Sequence, residues 1–97
     1  MKPEKLNKVI HERVRLAILS ALAARGSLTF VELKELLDIT DGNLSVHGNI
    51  LERNGLVKVT KKFVSKKPCT TFNLTARGRR EFGRYVEELE QILKPKV

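Results

Sequence analysis

Apolar and polar residues recur along the chain with two periods, first that of helices and later that of strands. The first helix is expected over about residues 11–24, and because its apolar side chains cover more than one face, we expect it to be buried on several sides. Thr29 and Glu32 form a capping-box pattern that predicts a second helix over about residues 30–37, with Leu28 in a very short strand before it. The side chains expected to face inward from this second helix are Phe30, Leu33, Leu36 and Leu37.

A third helix is predicted over about residues 41–54, with Thr40 as its N-cap and Asn54-Gly55 as its C-terminal stop. On a helical wheel its packed side carries Leu44, His47, Gly48 and Leu51. Its opposite side and flanks carry Gly42, Asn43, Ser45, Val46, Asn49, Ile50 and Arg53. A helix face that meets only water usually carries long charged residues. This small and mostly uncharged face is therefore interpreted as a binding surface.

After the third helix the apolar period changes to two, which predicts a β-hairpin over about residues 58–72. Val57, Val59 and Phe63 are expected inward in its first strand and Phe72 and Leu74 in its second, with VSKKP as the connecting loop. Thr75 is the predicted N-cap of a last helix over about residues 76–94. Apolar residues of this helix form an a/d-type seam suited to pairing with another helix, namely Phe82, Val86, Leu89 and Leu93, flanked by Tyr85 and Ile92.

The predicted order is helix, short strand, helix, helix, hairpin, helix, which describes a mainly α, α+β winged helix-turn-helix fold. A chain of 97 residues has room for one core, so we expect one domain over residues 1–97, with residues 76–94 as a C-terminal dimerisation helix. The apolar faces of the last and first helices predict a homodimer. The dimerisation candidates are Leu16, Leu19, Phe82, Tyr85, Val86, Leu89, Ile92 and Leu93.

Positive charge is concentrated in one part of the chain, whose net charge is +8. Residues 53–80 contain nine of the 19 Lys and Arg residues and no Asp or Glu, and such a single-sign segment fits the phosphate backbone of a duplex. The phosphate-contact candidates are Thr40, Gly42, Arg53, Lys58, Lys61, Lys62, Lys66, Lys67 and Arg77. The base-reading candidates are Asn43, Ser45, Val46 and Asn49. The alternative role for the hairpin lysines is protection of an exposed strand edge against aggregation.

Other features of the composition argue against several protein classes. A single cysteine rules out an intramolecular disulfide and fits a reducing compartment, and neither a signal peptide nor a membrane span is evident, so a cytoplasmic protein without membrane association is expected. Cys69, His11 and His47 are the candidates for a nucleophile and base, and nothing in the sequence links them. We expect no catalytic activity, no metal site and no cofactor.

Four stretches resemble small winged-helix transcriptional regulators of the ArsR/MarR kind over residues 9–93, namely VRLAILSAL, LTFVELKELLDITDGNLSVH, LERNGLVKV and TTFNLTARGRREF. The resemblance implies a homodimer that binds double-stranded DNA, with residues 40–54 in the major groove, the hairpin on the backbone and the terminal helices in the dimer. The chain departs from the family at Gly48, where a large apolar residue is usual, and it lacks the paired-cysteine metal site of many ArsR-type sensors.

Two questions about partners stay open at the level of sequence. A protein-interaction module or a non-specific nucleic-acid-binding protein would account for the charge as well, and a small-molecule effector is unknown. For the DNA-binding interpretation, dimer symmetry predicts a pseudo-palindromic operator with half-sites about one helical turn apart.

Overall fold

The computed structural model describes residues 2–95. A short 3-10 helix, Pro3–Lys5, precedes the main elements, which are α1 (Arg13–Arg25), β1 (Ser27–Thr29), α2 (Phe30–Leu37), α3 (Asp41–Arg53), β2 (Val57–Val64), β3 (Lys67–Leu74) and α4 (Ala76–Leu93). The predicted order of elements is confirmed, and the fold is a winged helix with four α-helices and a three-stranded antiparallel sheet.

Three helices begin at the threonines that the sequence indicated. The capping box of α2 is complete, because the Glu32 N–H donates to Thr29 Oγ1 at 3.1 Å and the Thr29 N–H donates to Glu32 Oε1 at 2.9 Å. Thr40 caps α3 and Thr75 caps α4 through their hydroxyl oxygens, which accept backbone N–H groups at 3.0 and 2.8 Å. Each cap supplies a partner for an orphan N–H group of its first turn.

The first helix begins slightly later than predicted, with Glu12 as its N-cap. The Glu12 carboxylate accepts the N–H groups of Val14 and Arg15 at 2.9 and 2.8 Å. Gly26 ends the helix with φ of 86°, a left-handed conformation that glycine adopts without steric cost.

The sheet has the strand order β1-β3-β2, so the hairpin strand β3 lies in the centre. The pairing of β2 with β3 runs to Val64 opposite Lys67, and the connection is only Ser65-Lys66. Both turn residues have positive φ, 52° and 66°, as a type I′ hairpin requires. The predicted five-residue loop is therefore wrong, because this tight turn allows the strands to pair almost to their ends.

The core lies between α1, α2, α3 and the sheet, and α4 reaches it through Tyr85. Its buried apolar side chains come from all the main elements and are Ile10, Val14, Ile18, Leu19, Ala21, Leu22, Leu28, Leu33, Leu44, Leu51, Leu56, Val57, Phe72 and Tyr85. The molecule is elongated, with extents of 58 × 25 × 21 Å. The core holds α3 in place while its outward face stays in solvent.

Two side chains predicted to face inward are exposed instead. Leu36 is 46% exposed because it lies at the edge of the apolar stripe of α2, whose only buried residue is Leu33. Phe63 is 77% exposed because the hairpin continues past the body of the domain, where no helix remains to cover that face. Strand alternation correctly predicted the side of the sheet on which Phe63 lies. Phe63 is nevertheless exposed, because the core does not extend as far as this end of the strand.

Gly48 is explained by a close contact between α3 and the sheet. A Cβ atom at this position would lie 2.9 Å from Phe72 Cε2 and 3.3 Å from Cζ. Gly48 and Phe72 are both buried, so the aromatic ring occupies the space in which a larger side chain of residue 48 would lie. The ring of Phe72, contributed by β3, therefore fills the space beside Gly48 on the buried side of α3.

Candidate nucleic-acid interface

Helix α3 presents the face that the sequence indicated. Its buried residues are Leu44, Gly48 and Leu51, and the four base-reading candidates on the opposite side, Asn43, Ser45, Val46 and Asn49, are all exposed. Val46 is 58% exposed, so one aliphatic side chain on this face is free to contact a partner. The face combines amide and hydroxyl groups with one aliphatic side chain, the chemistry that contacts base edges and thymine methyl groups.

The inner side of α3 is linked to α1 by a polar contact that the sequence did not reveal. Arg15 Nη1 lies 3.0 Å from His47 Nδ1, and Glu12 Oε1 lies 3.5 Å from the same nitrogen. Because a guanidinium group can only donate, Arg15 is the donor of this hydrogen bond and His47 Nδ1 is the acceptor. His47 thus positions α3 on α1, and its partner lies 32 residues away in the chain, beyond the reach of any local pattern.

The N-terminal end of α3 is open to solvent. Thr40 and Gly42 are exposed, and a Cβ atom at Gly42 would meet nothing within 4 Å. Lys34 Nζ donates to Asp41 Oδ1 at 2.7 Å, and this hydrogen bond raises the pKa of the Lys34 ammonium group. The pair is exposed and adds little to stability, but it places a cation that is not among the predicted contact residues beside the helix terminus.

The C-terminal end of α3 is fixed to the start of α4. The Thr75 hydroxyl donates to the Gly55 carbonyl at 2.6 Å, and the Thr75 N–H donates to the Leu56 carbonyl at 3.1 Å. A Cβ atom at Gly78 would lie 2.0 Å from Leu56 O, so the two backbones touch. Arg77 packs beside Gly55, since its Cδ atom is 3.6 Å from where a Cβ of that glycine would lie. These contacts bring a basic residue of α4 to the end of α3.

The phosphate-contact candidates all lie in solvent and span α3, the hairpin and α4. They are Thr40, Gly42, Arg53, Lys58, Lys61, Lys62, Lys66, Lys67 and Arg77. The strand register distributes the lysines over both faces of the hairpin, with Lys61 on the face that continues into the core and Lys62 on the other. Lys66 stands in the turn itself. The hairpin is therefore basic on both faces and at its tip.

The dimerisation candidates fall into two groups. Leu19 and Tyr85 are 0% and 2% exposed, so they belong to the core of the single chain and their assignment to a dimer surface is corrected. The reason is that both side chains pack in the core of the single chain, where the Tyr85 hydroxyl lies 2.7 Å from Nδ1 of His11, just before α1. Burial also raises the pKa of the Tyr85 phenol. The others are partly or fully exposed and comprise Leu16, Phe82, Val86, Leu89, Ile92 and Leu93.

A cleft of about 380 Å³ lies beside the N-terminus of α3. Its lining combines apolar side chains of α1 and the α2–α3 turn with polar groups, and consists of Arg13, Val14, Ala17, Leu37, Asp38, Ile39, Thr40 and Asn43. Two of these, Thr40 and Asn43, are DNA-contact candidates, so the cleft borders the binding face.

The candidate reactive side chains have separate surroundings. His11 contacts Tyr85 and His47 contacts Arg15, while Cys69 is partly exposed opposite Lys62 in the hairpin. Within residues 2–95 no three His, Cys, Asp or Glu side chains are close enough to hold a metal ion. Over the same residues, no helix has the length and apolar character needed to cross a bilayer.

Fold and surface together define a winged-helix protein, and comparison with known proteins identifies its family. The chain belongs to the winged helix DNA-binding domain family, whose model matches residues 14–93. It is 36% identical over 87 residues to the uncharacterized protein MJ0432 of Methanocaldococcus jannaschii, covering 90% of this chain and 95% of that one.

Solved structures agree with this assignment. A transcriptional regulator homologue from Pyrococcus horikoshii OT3 superimposes with a TM-score of 0.86 at 34% identity, covering 93% of this chain and 91% of that one. The ArsR family transcriptional regulator RHA00566 has the same fold, with a TM-score of 0.63 at 21% identity over 100% of this chain and 98% of that one. The resemblance to small winged-helix transcriptional regulators is confirmed, and this family is not normally enzymatic.

Proposed function

We propose that the protein is a homodimeric, sequence-specific regulator of transcription that binds double-stranded DNA, with α3 in the major groove and the basic hairpin on the backbone or in the minor groove. The observation that carries this proposal is the exposed, uncharged polar face of α3 beside the acid-free segment 53–80. A face of this kind reads base edges, and the adjoining cations hold the phosphates on either side.

The proposed readout follows from the side-chain chemistry. The amides of Asn43 and Asn49 are suited to paired hydrogen bonds with adenine, the Ser45 hydroxyl to several bases, and Val46 to a thymine methyl group. The Thr40 hydroxyl accepts one N–H group and keeps its own proton for a phosphate oxygen. The open N-terminus of α3 supplies backbone N–H groups for a second phosphate contact.

The proposed dimer is supported by the incomplete burial of α4. Among its described residues only Gly78 and Tyr85 are buried, although the helix is strongly amphipathic. Phe82, Val86 and Leu89 are partly exposed, and Leu93 is 68% exposed. Pairing of two such helices would remove this apolar surface from water. A two-fold dimer predicts half-sites about one turn of DNA apart.

Duplex binding is tested by fluorescence anisotropy across a salt series, with selection from a random DNA library. We expect an enriched inverted repeat and steeply salt-dependent affinity. Two matched pairs of variants separate the roles of the residues. Ser45→Ala should relax one position of the motif, whereas Ser20→Ala, also exposed but on α1, should not. Lys62→Ala should reduce the slope of log affinity against log salt concentration (the salt slope) by about 2, because each dimer loses two phosphate contacts. Lys8→Ala should leave this slope unchanged.

Other results would favour different functions. Weak binding without sequence preference would indicate a non-specific nucleic-acid-binding protein. An absence of duplex binding would favour a protein-interaction module that uses the same face of α3. As a DNA-binding regulator the protein would act in the cytoplasm, and we expect neither catalysis nor a cofactor.

A further inference from the structure

The tip of the hairpin carries an apolar side chain that the proposed contacts do not use. Phe63 is 77% exposed, which makes it the most exposed of the large apolar side chains in residues 2–95. Single exposed apolar residues are common on protein surfaces. Phe63 differs because of its place, near the end of a basic hairpin and next to a tight turn.

The strand register determines the side of the sheet on which Phe63 lies. Phe63 is paired with Pro68, and four pairs nearer the body Val59 is paired with Phe72. Residues separated by even numbers along a strand share one face. Phe63 and Pro68 therefore lie on the face whose Phe72 ring contacts Gly48 of α3. The exposed ring of Phe63 and helix α3 are on the same side of the sheet.

The distance along the hairpin matches the spacing of DNA grooves. Phe63 is four residues beyond Val59, which corresponds to about 14 Å at the rise of an antiparallel strand. The centres of a major groove and the neighbouring minor groove are separated by half a helical turn, about 17 Å. When α3 lies in the major groove, the hairpin is therefore long enough for its tip to approach the adjacent minor groove.

The surroundings of Phe63 suit insertion into DNA better than contact with another protein. Lys61 precedes it by two residues on the same face, and Lys62, Lys66 and Lys67 surround the tip. These four charges favour a polyanion on both sides of the ring. The type I′ turn and the cross-strand Pro68 restrict the backbone at this point, so little conformational freedom is left to lose on binding.

We propose that Phe63, backed by Pro68, is an apolar wedge that enters the minor groove beside each half-site, partly unstacks one base step and bends the duplex. The proposal rests on the proposed function, and it adds a component of specificity that needs no base-edge hydrogen bond. A wedge selects steps that unstack easily, so pyrimidine–purine steps such as TA or CA should be preferred at the positions under the hairpin tip.

The test uses the duplex enriched in the library selection, with 2-aminopurine scanned across the positions that flank each half-site and a dye pair at the duplex ends to report bending. Wild-type protein should raise 2-aminopurine emission at one flanking step and shorten the end-to-end distance. Phe63→Ala should abolish both signals and weaken binding about tenfold or more, with the salt slope unchanged because every charge is kept. Phe63→Leu should restore part of the signal.

Val64→Ala is the matched control, since Val64 is 53% exposed at the same tip but lies on the opposite face with Lys67. It should bind and bend DNA like the wild type. Unchanged DNA binding and bending by Phe63→Ala would overturn the wedge while leaving the proposed function intact. Weaker self-association of Phe63→Ala with unchanged DNA binding would assign the ring to a protein interface and would also overturn it. Wild-type protein without selective duplex binding would refute the proposed function itself.

Discussion

Helix α4 contains two glycines whose replacement by alanine should change the free energy of unfolding in opposite directions. At Gly78 the added Cβ atom would lie 2.0 Å from Leu56 O, 2.9 Å from Leu56 C and 2.9 Å from Leu74 Cδ1. At Gly83, in the same helix, nothing lies within 4 Å of the added atom. The pair therefore separates the steric effect of a methyl group from its effect on helix propensity.

The magnitude follows from what must move at Gly78. The Leu56 carbonyl is held in place by the Thr75 N–H at 3.1 Å, and Leu56 is only 2% exposed, so it cannot move away without breaking the contact between the α3–β2 turn and the start of α4. Overpacking costs about 1–3 kcal/mol, and a disturbed N-cap adds about 1 kcal/mol. Alanine returns about 1 kcal/mol of helix propensity. We expect Gly78→Ala to destabilise the protein by about 1–3 kcal/mol and Gly83→Ala to stabilise it by up to about 1 kcal/mol.

Urea denaturation followed by circular dichroism measures both changes. The variants are compared with the wild type at several matched protein concentrations, because the stability of a dimer depends on concentration. Midpoints should shift in opposite directions with similar m values. If Gly78→Ala were as stable as the wild type, the backbone contact between α4 and the exit of α3 would not constrain the fold, and the reasoning would be refuted.

Three further predictions concern the core, the first helix and the dimer. Gly48→Leu should destabilise the fold by about 3 kcal/mol through its clash with the ring of Phe72, and Phe72→Ala should offset part of that loss in a double-mutant cycle measured by urea denaturation. Although burial favours the neutral acid, backbone hydrogen bonds from the first turn of α1 and neighbouring positive groups hold the pKa of Glu12 below its ordinary value of 4.5. The contribution of the Glu12 carboxylate to the free energy of unfolding is thus present above pH 4.5, and it is lost as the pH falls through the lower pKa of the folded state. Glu12→Ala should cost about 1 kcal/mol at pH 7 and much less at pH 2–3, and an equal cost at both pH values would contradict this. Leu89→Glu should dissociate the proposed dimer in sedimentation velocity, whereas Gln91→Glu, which adds the same charge at an exposed position of α4, should not.

Features that depend on neighbouring residues could be predicted from the sequence. The caps at Thr29, Thr40 and Thr75 act over three residues, and each was correctly identified. The outward face of α3 follows from helical periodicity, because the position of a side chain around a helix is set by its place in the sequence. The acid-free segment 53–80 is likewise a property of order along the chain.

Burial could be predicted less well, because it depends on where the rest of the molecule ends. Leu36 and Phe63 have the pattern of inward residues but lie beyond the atoms that would cover them. Conversely, Leu19 and Tyr85 were assigned to a dimer surface, yet each fills the core of its own chain. Periodicity indicates which side of an element a residue occupies, and the length and packing of the neighbouring elements decide whether that side is covered.

The sequence by itself determined the order of elements, the helix starts, the polar face of α3 and the distribution of charge, since these rest on local hydrogen bonds and on spacing. Only the tertiary structure decided the contacts between distant residues. It placed Phe72 against Gly48, hydrogen-bonded Arg15 to His47, and put Phe63 on the face of the sheet that α3 contacts. The physical reason is that these contacts join residues far apart in the chain, and their geometry depends on how whole elements pack.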